Sequence, residues 1–84
     1  MPATRDLTGS VVAITGATAG IGRETARQLV AAGARVALGG RRQERLDELV
    51  AELGPDNAVG VVMDVRRPED NARLVAAAVQ AWGR

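Results

Sequence analysis

Three short apolar runs alternate with three amphipathic stripes along 84 residues, and the first run enters its helix through a glycine-rich turn. This alternation predicts an α/β fold, because apolar strands separated by crossover helices assemble into a parallel sheet with helices packed against it. A chain of this length holds one domain at most, with a marginal core. Its 46% hydrophobic and 25% charged residues are those of an ordinary globular protein. The net charge of +1 gives no reason to expect nucleic acid or a membrane surface as partner. No run approaches the length of a membrane span.

The elements follow in order. Val11–Thr15 is a strand rich in β-branched residues. From Gly20 to Ala32, the residues Ile21, Thr25, Ala26, Leu29 and Val30 recur at helical spacing, with Gly33 placed as a C-terminal cap. Residues 35–39 form a second strand on Val36-Ala37-Leu38. In the helix from Gln43 to Leu53, the stripe Leu46, Leu49, Val50 and Leu53 opposes a wet face of Glu44, Arg45, Asp47, Glu48 and Glu52. Gly54-Pro55 stops it. Residues 58–64 supply the third strand, carrying Val59, Val61, Val62 and Met63. Pro68 suits the first turn of a last helix, and Glu69 and Asp70 complement its dipole. The stripe of that helix is Leu74, Val75, Ala78, Val79 and Trp82, and Trp82 reads as core packing.

Right-handed crossovers fix the topology as a doubly wound sheet with strand order 3-2-1. In that order the first strand should be central, yet nothing follows the third helix, so residues 11–15 would form a bare apolar edge. The chain therefore reads as the first half of a Rossmann-like domain, ending just before a fourth strand. The uncovered edge calls for the remainder of the fold or another copy.

The chemistry concentrates in Thr15-Gly16-Ala17-Thr18-Ala19-Gly20-Ile21-Gly22. A strand, a tight glycine turn and a helix N-terminus are the parts that hold a pyrophosphate. Glycine serves where the backbone turns with positive φ and where no Cβ can stand between amides and phosphate. The helix start adds unpaired N–H groups and the positive end of its dipole.

This Thr-Gly-x-x-x-Gly-x-Gly pattern, with its strand before and helix after, resembles the cofactor motif of the short-chain dehydrogenase/reductase family. Asp64-Val65 at the end of the third strand also resembles the family's adenine-contacting pair. The resemblance covers essentially the whole chain. It implies that Gly16, Thr18, Ala19, Gly20, Ile21 and Gly22 surround the pyrophosphate and ribose. It further implies that the Asp64 carboxylate accepts from the adenine amino group while Val65 pairs with the ring through its backbone.

A carboxylate at the end of the second strand would accept from the 2′-OH of NAD and repel the 2′-phosphate of NADP. Here the sequence reads Gly39-Gly40-Arg41-Arg42, with Gly40 where the acid is expected. Arg41 offers a planar fork suited to phosphate, and Arg directly after the acid position resembles the family's NADP-preferring pattern. One departure is Ala19, where many NADP-using members carry a basic residue. The topology also gathers Arg23, Arg41, Arg42, Arg66 and Arg67 at the carboxyl edge of the strands, where ligands of open α/β sheets bind. Arg66 and Arg67 read more simply as solubilising loop residues.

The chain has no Tyr, His, Cys or Lys, and all eleven basic residues are Arg. Without cysteine there is neither a disulfide framework nor a thiolate metal site. The family's chemistry needs a Tyr acid/base, a Lys beside it and a substrate-holding Ser. The only Ser is Ser10, before the first strand, and Asn57 and Asn71 lie in the wrong context for the family's Asn, so no catalytic residue is assigned. The expectation is the NADP(H)-binding N-terminal segment of a short-chain oxidoreductase acting on a carbonyl/alcohol substrate, with NAD(H) not excluded and the intact protein a homo-oligomer. The alternative is a non-enzymatic half-fold that binds a nucleotide or self-associates. The N-terminal residues lack an apolar leader region, and a cytoplasmic setting is expected.

Overall fold

A computed structural model describes residues 9–64 and 66–83. Val65, and the N-terminal residues read above for a leader, lie outside the described residues. Among the described residues, six elements follow one another: β1 (Val11–Thr15), α1 (Gly20–Ala31), β2 (Arg35–Gly40), α2 (Gln43–Leu53), β3 (Ala58–Val62) and α3 (Pro68–Trp82). The strands form one parallel sheet in the order β1-β2-β3, with Val11 opposite Arg35 and Val36 opposite Ala58. This is the expected half of a doubly wound sheet, with β1 at one edge.

Side chains alternate across the sheet, so β2 serves two cores at once. Val36 and Leu38 pack with Ala26 of α1 and Leu46 and Leu49 of α2. Ala37, between them, faces Leu74 and Ala78 of α3 on the other side, with Met63 alongside. Both flanking cores are small, and Leu38, Leu46, Leu49 and Val36 are the largest fully buried side chains. Trp82 packs at the edge of the α3 core, and its indole N–H donates to the Asp56 carbonyl at 3.4 Å. The expected core role of Trp82 thus gains a tether between the last helix and the loop before β3.

Several element ends differ from the sequence reading by a residue or two. α1 ends at Ala31, since Ala32 leaves helical geometry and Gly33 turns with φ +101°. β2 runs one residue further, because Gly40 pairs with Val62. β3 stops at Val62 rather than Asp64. Met63 still donates to the Gly40 carbonyl at 2.8 Å, but the Asp64 N–H goes instead to the Asp70 carboxylate at 2.9 Å. Among the described residues, no helix is long and apolar enough to cross a membrane.

Candidate functional site

The three motif glycines carry three separate tasks. Gly16 ends β1 in the left-handed region at φ +66°, which lets the chain reverse above the sheet. Gly22 lies beneath the turn, where a Cβ would overlap the Gly16 carbonyl oxygen. A Cβ on Gly20 would meet nothing within 4 Å, so the surface there is open. The Ala17 N–H donates to the Gly39 carbonyl at 3.0 Å and the Ala19 N–H to the Gly16 carbonyl at 3.2 Å, tying the turn to β2 and to itself. Ala19 begins α1 without a side-chain cap. The first-turn N–H groups therefore have no side chain competing for them, and they carry the positive end of the helix dipole.

Opposite the turn, the end of β2 and the start of α2 close a cleft of about 600 Å³. Gly16, Thr18, Ala19 and Gly20 line it from the turn, Gly39 and Gly40 from β2, and Met63 from the end of β3. Its charged lining is Arg23, Arg41, Arg42 and Arg45, with no acid among the lining residues. The Arg23 Nε is buried without a hydrogen-bond partner. Among the described residues, the side chains of Arg41, Arg42 and Arg45 enter no hydrogen bond or ion pair, whereas Arg27 is held by Glu52 and Glu24. An acid-free, cationic cleft facing a glycine turn suits a ligand with several phosphates. A dinucleotide fits the residues present on two counts: the open surface at Gly20 and the unmatched Arg23 Nε.

Gly40 is packed rather than vacant. A Cβ there would meet Thr18 Cγ2 at 3.0 Å and Leu46 Cδ2 at 3.3 Å. Thr18 and Leu46 thus fill the place where an acid at the end of β2 would stand.

A second cleft continues from the first, sharing Arg41 and Met63, and is lined by Asp64, Arg66, Arg67, Asp70 and Arg73. Asp64 lies here, and its carboxylate is occupied from within the chain. The Arg66 backbone N–H donates to Oδ1 at 2.9 Å, and the Arg66 guanidinium donates from Nη2 to Oδ2 at 2.7 Å. The guanidinium hydrogen bond holds the Asp64 carboxyl well below the usual carboxylate range, helped by the Arg66 N–H and by the charge of Arg41. Beneath it, buried Asp70 accepts the Asp64 N–H and pairs with Arg73 at 3.0 Å; Arg73 also donates to the Val62 carbonyl at 3.2 Å.

The structure thus gathers at one end of the sheet the five arginines expected there. Of the remaining motif residues, Gly22 lies under the turn and Ile21 stands 87% exposed, outside the cleft lining. Three contributors go beyond the sequence expectation, since the pattern alone places Arg45 on the wet face of α2, Asp70 as a dipole partner and Met63 as a strand residue. The first helical turn of α2 could have flagged Arg45, since it follows the strand end by one turn. For Asp70 and Met63 the signal lies in tertiary packing alone. Among the described residues, no cluster of metal-ligating side chains occurs.

The parallel sheet, its crossover helices and the glycine turn define the first half of a Rossmann fold. A family model described as short chain dehydrogenase matches residues 10–84, and the chain belongs to that family. Over 82 residues it is 43% identical to 11-beta-hydroxysteroid dehydrogenase 1A of Arabidopsis thaliana, covering 94% of this chain and 24% of that protein. It is 41% identical over 78 residues to cis-2,3-dihydrobiphenyl-2,3-diol dehydrogenase of Paraburkholderia xenovorans, covering 93% of this chain and 28% of that one. Among solved structures, a glucose/ribitol-type short-chain dehydrogenase/reductase from Brucella melitensis superposes with a TM-score of 0.91 at 30% identity, over 96% of this chain and 35% of its own. The chain spans about a quarter of the curated relatives named here.

Proposed function

We propose that this chain is the NADP(H)-binding N-terminal part of an oxidoreductase that moves hydride between a nicotinamide and a carbonyl/alcohol carbon. The observation carrying this reading is the end of β2, where Thr18 and Leu46 fill the space beside Gly40 and Arg41, Arg42 and Arg45 surround an acid-free cleft. A 2′-hydroxyl finds no carboxylate partner there, whereas a 2′-phosphate finds free guanidinium forks.

Residues 1–84 are read as one partial dinucleotide-binding domain. Gly16, Thr18, Ala19, Gly20, Ile21 and Gly22 surround the pyrophosphate and adjoining ribose, with Gly22 supporting the turn from below. Asp64 accepts from the adenine amino group, with Val65 beside it. Arg41 and Arg42 hold the 2′-phosphate. The nicotinamide, when bound, supplies the hydride chemistry. This chain's own residues bind and orient the cofactor, and the Tyr and Lys that the family's proton chemistry uses are absent from it. The intact protein is a cytoplasmic homo-oligomer in this reading, with the remainder of the fold or another copy covering β1.

The test is titration of NADP(H) and NAD(H) against the whole protein and its Arg41→Ala variant. NADP(H) should bind tighter in the parent, and Arg41→Ala should weaken it roughly tenfold, the effect of losing a charge-assisted hydrogen bond. Equal affinities in the parent, or an unchanged NADP(H) affinity in the variant, would overturn the reading.

A further inference from the structure

Among the described residues lining the two connected clefts, the carboxylates are Asp64 and Asp70, and that of Asp64 is already engaged. Besides the two contacts given above, Arg66 Nε reaches Oδ1 at 3.0 Å and Oδ2 at 3.2 Å. Both oxygens are therefore occupied by one residue two positions along the chain. The two partners are unequally anchored. The Asp64 side chain is 26% exposed, and its backbone N–H is pinned by Asp70, whereas the Arg66 side chain is 75% exposed. Asp64 stays, and the guanidinium is the part that can leave.

An exocyclic amino group approaching Asp64 needs the same lone pairs. It must displace the Arg66 guanidinium, and the displaced cation then stands in a cleft that already holds Arg41 and Arg67. With a hydroxyl at the ribose 2′ position, nothing on the ligand compensates that charge. With a phosphate there, the freed guanidinium gains a new anion. We propose that Arg66 is a specificity-determining positioning residue, an internal occupant of the Asp64 carboxylate that penalises adenine nucleotides lacking a 2′-phosphate and yields to those carrying one. This rests on the NADP(H) reading above and extends the discrimination from the end of β2 to the end of β3.

The experiment uses the whole protein and its Arg66→Ala and Arg66→Lys variants, titrated with adenosine 5′-monophosphate and adenosine 2′,5′-bisphosphate. The Asp64 carboxyl is followed by NMR as a function of pH without nucleotide. Arg66→Ala should bind the monophosphate about twofold to fivefold tighter, the scale of an exposed ion pair no longer in competition. It should bind the bisphosphate about fivefold more weakly, having lost a charge-assisted contact. Arg66→Lys should restore part of the bisphosphate affinity. The Asp64 titration should move up toward the ordinary carboxylate range in Arg66→Ala, the sign that the guanidinium occupied that carboxylate, while the opposite signs of the two affinity changes are what a merely structural role for Arg66 would not produce. Unchanged or weaker monophosphate binding in Arg66→Ala, or an Asp64 titration that does not move, overturns the role of Arg66 while leaving the NADP(H) reading in place. A parent that binds neither nucleotide overturns both.

Discussion

A methyl group added at Gly22 would overlap the Gly16 carbonyl oxygen, while one added at Gly20 would meet nothing within 4 Å. The two glycines should therefore separate folding from binding. Gly22→Ala forces the turn and the helix start apart and should cost about 1–3 kcal/mol of stability, the usual scale for overpacking. Gly20→Val should leave the circular dichroism and the melting temperature close to those of the parent. Its side chain instead stands between the first-turn amides and a phosphate, and nucleotide binding should be lost. Paired melts and nucleotide titrations on the whole protein check both; a well-folded Gly20→Val that still binds would reduce the turn to a structural device. The glycine spacing was readable from the sequence because each task is local to eight residues. The packing of Gly40 was not, since it depends on Thr18 and Leu46 arriving from two other elements.

At the junction of β3 and α3, the buried carboxylate of Asp70 ties the two elements together. Asp70 accepts the Asp64 N–H and pairs with Arg73, which itself donates to the Val62 carbonyl. The Asp64 N–H hydrogen bond is the main cause that draws the Asp70 carboxyl below its ordinary value, with the Arg73 hydrogen bond assisting. A depressed folded value means that the stabilisation is fully present above the unfolded value, about 3.9 for Asp, and disappears as pH falls through the lower folded one. Asp70→Asn should therefore lower the melting temperature at neutral pH, and the gap between variant and parent should close as pH drops below the ordinary carboxylate range. Melts across pH on both proteins measure this, and a gap independent of pH would point to lost packing instead. The strands and helices themselves were legible from periodicity, glycine and proline. Their exact ends were not, because a side chain six residues away takes the backbone N–H that would have continued β3.

At the scale of the molecule, β1 pairs on one side only among the described residues, with β2. Val11, Val12 and Ile14 are half-buried there, and Ala13 and Thr15 are exposed. Produced alone, the 84-residue chain should self-associate along this edge, because an unpaired strand presents N–H and C=O groups that template another chain. It should also show no dehydrogenase activity, having no Tyr or Lys. Sedimentation and an activity assay check the two; a monodisperse monomer with a cooperative melt would show that the half-sheet is self-sufficient. Spatial order follows chain order, so each strand meets the one made just before it, Arg35 beside Val11 and Ala58 beside Val36. Every closure is then a short loop spanned by one helix, and short closures are fast. A ribosome extruding this segment would release each crossover unit ready to dock on its predecessor. The cleft between the glycine turn and the end of β2 would take shape while later residues were still being added.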